Sequence, residues 1–128
     1  MMLTKKTASS LGVTNRLDPD KSIDGGARYL AYLEKWVPEQ ISHSDRIWFA
    51  LAAYNVGMGH IKDAQKLAQN FDINPNSWKD LKKVLPLLAQ KQHYKSLHYG
   101  YARGWEPVHY VQRIRELHAL LEDYLREI

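Results

Sequence analysis

An all-α fold is what this sequence predicts, and three observations predict it. Apolar residues recur at three- and four-residue spacing through almost every segment. Helix-start and helix-stop residues, Asp-Pro and Gly among them, punctuate that pattern at helix-length intervals. No segment sustains the apolar/polar alternation that a half-buried strand needs. The 128 residues suit one domain with its own core, and neither an internal repeat nor a linker divides them.

From the N-terminus, Thr4 can cap a short helix through Ser10, and Gly12 sits where such a helix stops. In "LDPDKSIDGGARYLAYLEKWV", Asp18 is the N-cap and Pro19 the first helical residue, with acidic side chains in the first turn. Ile23, Ala27, Leu30, Leu33 and Val37 fall on one buried stripe. Gly25 and Gly26 inside that helix cost about 1 kcal/mol each against alanine, which points to a close backbone approach there. The next helix, Asp45 to Asn55, is apolar on nearly all sides in "IWFALAAY" and belongs at the centre of the domain. Gly57 and Gly59 of "NVGMG" turn the chain into a helix from His60 to Asn70. After the loop "NFDINPN", Ser77 starts a helix with Asp80 placed to complete a capping box, and Pro86 interrupts or restarts it. "HYKSLHYGYARGWEP" is irregular. The last helix begins near Pro107, and Val111, Ile114, His118, Leu121 and Leu125 mark its inner face.

Composition removes several classes of function. The absence of cysteine excludes disulfides, thiol catalysis and cysteine-based zinc sites. No run of apolar residues is long enough to span a membrane, and two lysines after Leu3 replace the apolar core of a secretory signal. Six histidines stand singly, with no HExxH pair, and neither a GxSxG elbow nor a phosphate-cradling glycine loop occurs. No metal and no cofactor are therefore expected. The formal charge of +4 is small and dispersed, which argues against nucleic acid and leaves an acidic polymer such as a cell wall open.

Two stretches stand out chemically. "AAYNVGMG" places Tyr54 and Asn55 at the end of the most apolar helix. A flat ring with a hydroxyl beside an amide suits the face and edge of a sugar; a core tyrosine and a helix-ending asparagine fit the same spacing. "YGYARGWEP" sets Arg103 among Tyr99, Tyr101 and Trp105. That loop fits either a stacking surface for carbohydrate or single-stranded nucleic acid, or a loop tucked down by its own aromatics.

In order along the chain, "MMLTKKTA", "LDPDKSIDGGARYL", "ALAAYNVGMGHI" and "EPVHYVQRI" resemble the catalytic domain of soluble-type lytic murein transglycosylases, a goose-lysozyme-like family. The family's blocks are G-L-M-Q-x-x-P-x-T-A, then L-x-D-P-x-x-N-I-x-x-G-x-x-Y-L, then A-Y-N-x-G, then a late Y-V. The resemblance covers nearly the whole chain and implies a lysozyme-like all-α domain over residues 1–128. It implies cleavage of the MurNAc–GlcNAc β-1,4 bond of peptidoglycan without water. A single glutamate protonates the leaving oxygen, then helps the MurNAc C6 hydroxyl attack C1, leaving a 1,6-anhydro end. Such an acid needs an apolar pocket to stay protonated near neutral pH. The implied partners are peptidoglycan glycan strands, and the implied location is the periplasm, attached to the outer membrane in full-length relatives.

By the same resemblance, Met1 falls on the methionine of G-L-M-Q that lines the glycan cleft, and Met2 stands where most relatives have glutamine. Lys5 replaces the usual proline. Tyr54 and Asn55 fall on the Tyr-Asn pair beside the catalytic acid and the bound sugar, with Tyr54 supporting the chemistry. Glu106 and Tyr110 fall on a late glutamate and tyrosine that border the cleft. The family's catalytic glutamate lies in an E-S motif on a helix before G-L-M-Q, and this chain begins inside that block. The resemblance thus implies an N-terminally truncated domain with no catalytic acid of its own, weakly active or inactive. Glu34, Glu39, Glu116, Glu122 and Glu127 read as solvated charges. A non-catalytic glycan-binding module is the alternative. Apolar surface uncovered by a missing helix would favour a homo-oligomer.

Overall fold

A computed structural model describes residues 19–127, with side-chain environments from Asp24 onward. The helix expected from Thr4, the stop at Gly12 and the Asp18 cap lie outside the described residues. Those described form helices and turns with no strand, as the missing alternation implies. The order is α1 (Pro19–Trp36), α2 (His43–Val56), α3 (Met58–Asn70), α4 (Trp78–Val84), a 3-10 segment (Leu85–Ala89), the single turn α5 (Lys91–Tyr94) and α6 (Trp105–Glu127).

α2 sits at the centre, touching α1, α3, α4 and α6. Phe49 to Ala53 are all buried, the pattern of a helix with no solvent face. Phe49 meets Trp78 of α4 edge to face at 5.8 Å. Arg46, in the first turn of α2, clasps the end of α1. Its guanidinium donates to the carbonyls of Glu34 (2.8 Å), Val37 (2.9 Å) and Pro38 (3.0 Å), in the last turn of α1 and just past its end. Leu33 and Val37 are buried as expected, whereas Ala27 is exposed and Gly25 and Gly26 take buried places instead. Leu30 is half-buried and packs on the core, so among the described residues the stripe fails only at Ala27.

The turn between α2 and α3 needs one glycine rather than two. Gly57 has φ 101°, a region nearly reserved for glycine. Gly59 lies inside α3, where an added Cβ would come within 2.8 Å of the Tyr99 ring. The capping box at Ser77 does not form. The Trp78 N–H is instead taken by the Asp45 carboxylate at 3.0 Å, from 33 residues earlier. Pro86 opens the 3-10 segment, which its missing N–H allows.

α6 starts at Trp105, two residues earlier than expected, because Gly104 seats the chain directly on the 3-10 segment. A Cβ at Gly104 would overlap the Leu85 carbonyl. The expected inner face holds only for Val111, which is buried, and Ile114, which is half-buried; His118, Leu121 and Leu125 are exposed. Length explains it: α6 has 23 residues against 14 in α2 and overruns the helix it packs on. No helix among the described residues is long and apolar enough to cross a membrane.

Candidate active site

At the C-terminal end of α2, Tyr54 packs on Tyr29 of α1 and lies near enough to Tyr110 of α6 for that phenol to act on it. Tyr54 lies in the last turn of α2, Tyr29 approaches from α1 and Tyr110 from the second turn of α6. The Tyr29 and Tyr54 rings are 5.6 Å apart at 48°. The Tyr54 hydroxyl is buried and has no hydrogen-bond partner among the described residues. Buried polar atoms are nearly always paired, so an orphan hydroxyl marks a place where a ligand can supply the missing bond. Burial pushes the Tyr54 phenol above its ordinary range, and the Tyr110 and Tyr29 phenols add to it. Burial raises Tyr110 as well. Both therefore stay neutral well above pH 7 and offer hydroxyls able to donate and accept.

Asn55 follows next in the chain and is exposed. Glu106, in the first turn of α6, is exposed and pairs with Arg103 at 3.4 Å. That setting gives it water and a guanidinium rather than an apolar enclosure. Met1 and Met2 lie outside the described residues. Of the other expected site residues, the structure brings Tyr54 and Tyr110 together and places Asn55 next in chain. Glu106 stands one helical turn before Tyr110.

Glu39, Glu116, Glu122 and Glu127 are exposed, and Glu34 is half-buried. The aromatic loop is partly tucked. The Tyr99 N–H donates to the Asp63 carboxylate at 2.8 Å, a carboxylate only 4% exposed, and its ring lies against Gly59 and His60 of α3. Tyr101 rests edge-on against Tyr94 at 5.7 Å, yet both loop tyrosines keep about half their surface in water.

A family model described as "Transglycosylase SLT domain" matches residues 1–77, more than half of the sequence and including Tyr29, Tyr54 and Asn55. The chain belongs to the transglycosylase SLT domain family. It is also 58% identical over 121 residues to the membrane-bound lytic murein transglycosylase F of Pseudomonas fluorescens Pf-5, covering 94% of this chain and 25% of that protein. The proteins of the same name from Ectopseudomonas mendocina and Shewanella loihica are 57% and 55% identical over the same span. The chain therefore spans about a quarter of the length of these curated relatives.

Within this SLT domain, Tyr29 is the member of the tyrosine cluster that sequence reasoning passed over. It stands in the quoted block as the tyrosine of G-x-x-Y-L, but the helical stripe drew attention to the leucine beside it. Its contact with Tyr54 depends on how α1 crosses α2, which spacing within one helix does not reveal.

Proposed function

We propose that this SLT domain supplies the glycan-binding cleft of a peptidoglycan lytic transglycosylase. In this reading the strand lies across the C-terminal end of α2. Tyr54 and Tyr110 hydrogen-bond the sugars at the scissile MurNAc–GlcNAc linkage, Asn55 binds an N-acetyl group or ring hydroxyl, and Glu106 borders the cleft. Met1 and Met2 line it in the same reading. The observation that carries this is the buried Tyr54 hydroxyl, without a partner among the described residues, packed beside the Tyr29 ring and close to the Tyr110 phenol.

The reaction is an internal displacement. A protonated glutamate gives its proton to the glycosidic oxygen as the C1–O4 bond breaks. The resulting carboxylate takes the proton of the MurNAc C6 hydroxyl as that oxygen bonds to C1. Water is neither consumed nor released. Neutral phenols raised by burial suit such a site, because they hold hydroxyl groups in place without adding a charge that would compete for the proton. Glu106 lacks the apolar surroundings that this acid requires, so we place it in binding rather than proton transfer.

That same exposure favours a second reading, a non-catalytic glycan-binding module in which the chain holds peptidoglycan without cutting it. Incubation with purified sacculi, followed by mass spectrometry of the soluble fraction, tests both. Release of 1,6-anhydro-muropeptides supports the transglycosylase, shows that an acid among these residues suffices and sinks the binding module. Co-sedimentation without release fits the binding module and equally a transglycosylase cleft with no acid of its own, and absence of both binding and release would sink both. The named relatives are membrane-bound; a periplasmic site at the outer membrane follows for this chain under the same reading. Self-association belongs to it too. Leu117, Leu120, Leu121, Tyr124 and Leu125, each more than half exposed along α6, are the apolar surface that supports it. A strictly monomeric species in light scattering at high concentration would remove that part.

A further inference from the structure

α1 carries two aromatic side chains, Tyr32 and Trp36, that its packing does not use, in line with a third, Tyr29, that packs partly on the core. Leu33 and Val37 bury one face of the helix. On another face, Tyr29, Tyr32 and Trp36 succeed one another at three- and four-residue spacing, one above the next. The Tyr29 and Tyr32 rings are 6.4 Å apart and nearly parallel at 19°, and Tyr32 to Trp36 is 6.0 Å. Tyr32 is 51% exposed and Trp36 60% exposed. The row is continuous with the site, because its first ring, Tyr29, is the one in contact with Tyr54.

The chemistry of the row selects its occupant. Each ring offers a flat apolar face with a single uncharged polar group at its rim, a phenol on the tyrosines and an indole N–H on Trp36. A pyranose presents the complementary surface, a face of C–H bonds edged by hydroxyls. Stacking of this kind is tolerant of sequence and register, as it is where bases stack on aromatic platforms. Continuity with the Tyr54 cluster favours the same glycan strand as the occupant over a separate protein surface.

We propose that Tyr29, Tyr32 and Trp36 form a stacking row that extends the Tyr54 site along α1 and holds further sugar rings of the same glycan strand. The inference rests on the glycan-cleft reading above and adds the length of strand that the cleft recognises.

The test compares peptide-free GlcNAc–MurNAc strands of two, four and eight sugars by calorimetry, using the full chain. Wild-type affinity should rise with strand length. The double variant Tyr32→Ala/Trp36→Ala should lose about tenfold on the longest strand and little on the disaccharide. Tyr32→Phe/Trp36→Phe, which keeps a ring at both positions, should recover most of that loss, and this rescue separates stacking from a folding defect. Equal binding of long strands by wild type and the alanine variant would overturn the row while leaving the cleft in place. Equal wild-type affinity for all lengths would do the same. Failure of the wild type to bind any strand would overturn the cleft reading and the row with it. Self-association of the wild type that the alanine variant abolishes would make the row a protein contact instead.

Discussion

α1 and α6 both flank α2, yet they are held to it by different means and leave different side chains in water. α1 is gripped at its C-terminal end by one side chain, the Arg46 guanidinium spread over three carbonyls. α6 is seated at its N-terminal end by backbone lying on backbone, Gly104 against Leu85. Along α1 the exposed apolar groups are aromatic and start within the tyrosine cluster. Along α6, apart from Trp105 at its start, they are mostly leucines and follow Arg115, whose guanidinium lies over the Trp48 ring of α2 at 4.9 Å. Exposed apolar surface is thus two signals in one molecule. On α1 it continues a polar site, and on α6 it marks a helix that outruns its support.

The strongest way to break this pair is at the seat of α6. Gly104→Ala should cost 3 kcal/mol or more, roughly the upper end for overpacking, because neither backbone can step aside without moving a helix. Chemical denaturation reads the loss, and a variant within 0.5 kcal/mol of wild type would show that the seat is looser than the geometry says. Arg46→Ala tests the grip on α1 and should cost about 1.5–3 kcal/mol, the range for hydrogen bonds to a charged group. Arg46→Lys should recover only part of it, since an ammonium cannot span three carbonyls as a planar fork does.

Neither of those anchors was legible in the sequence, and the reason is the same for both. Helix periodicity, the Asp18-Pro19 start and the Gly57 stop are local signals, and they place most helix boundaries among the described residues within two residues. Gly104 and Arg46 act on residues far along the chain, where no local pattern points. The Asp45 cap on Trp78 fails to show for that reason too; Ser77 holds the N-cap position as expected, but its side chain makes no cap bond. For the site, residue chemistry singled out Tyr54 and Asn55, and family resemblance added Tyr110. Tyr29 needed the crossing of α1 over α2. The leucines of α6 misled because amphipathic spacing reports a face, while burial depends on whether a neighbour is long enough to cover it.

A smaller effect separates the cluster from the core. Tyr54→Phe removes a buried hydroxyl that has no described partner, so stability should hold or rise by up to about 1 kcal/mol while glycan binding weakens. The alkaline limb sharpens this. The Tyr54 and Tyr110 phenols are raised above the ordinary value of 10.0, so the folded chain keeps protons that the unfolded chain begins to lose. Their contribution is intact below pH 10.0 and is lost as pH climbs through the raised values. Melting temperature against pH should therefore fall less steeply above pH 10.0 in Tyr54→Phe/Tyr110→Phe than in wild type. Parallel curves would show that the phenols are as free in the folded chain as in the unfolded one.

The smallest effects test the two exposed rows directly. Leu117→Gln/Leu121→Gln on α6 and Tyr32→Ala/Trp36→Ala on α1 should each change stability by no more than about 0.5 kcal/mol, because all four side chains already stand in water. What distinguishes the pairs is everything else. The second half of α6 is held by its own ladder and by exposed pairs such as Arg126–Asp123, worth only about 0.3–0.5 kcal/mol. Amide exchange should accordingly be faster over residues 117–127 than over 108–114, whereas α1 should be protected through Leu33 and Val37. The glutamine pair should reduce self-association and leave long-strand glycan binding intact, and the alanine pair should do the reverse. If both pairs altered the same property, the aromatic and aliphatic rows would be one continuous surface, and the distinction between a site that extends and a helix that overruns would fail.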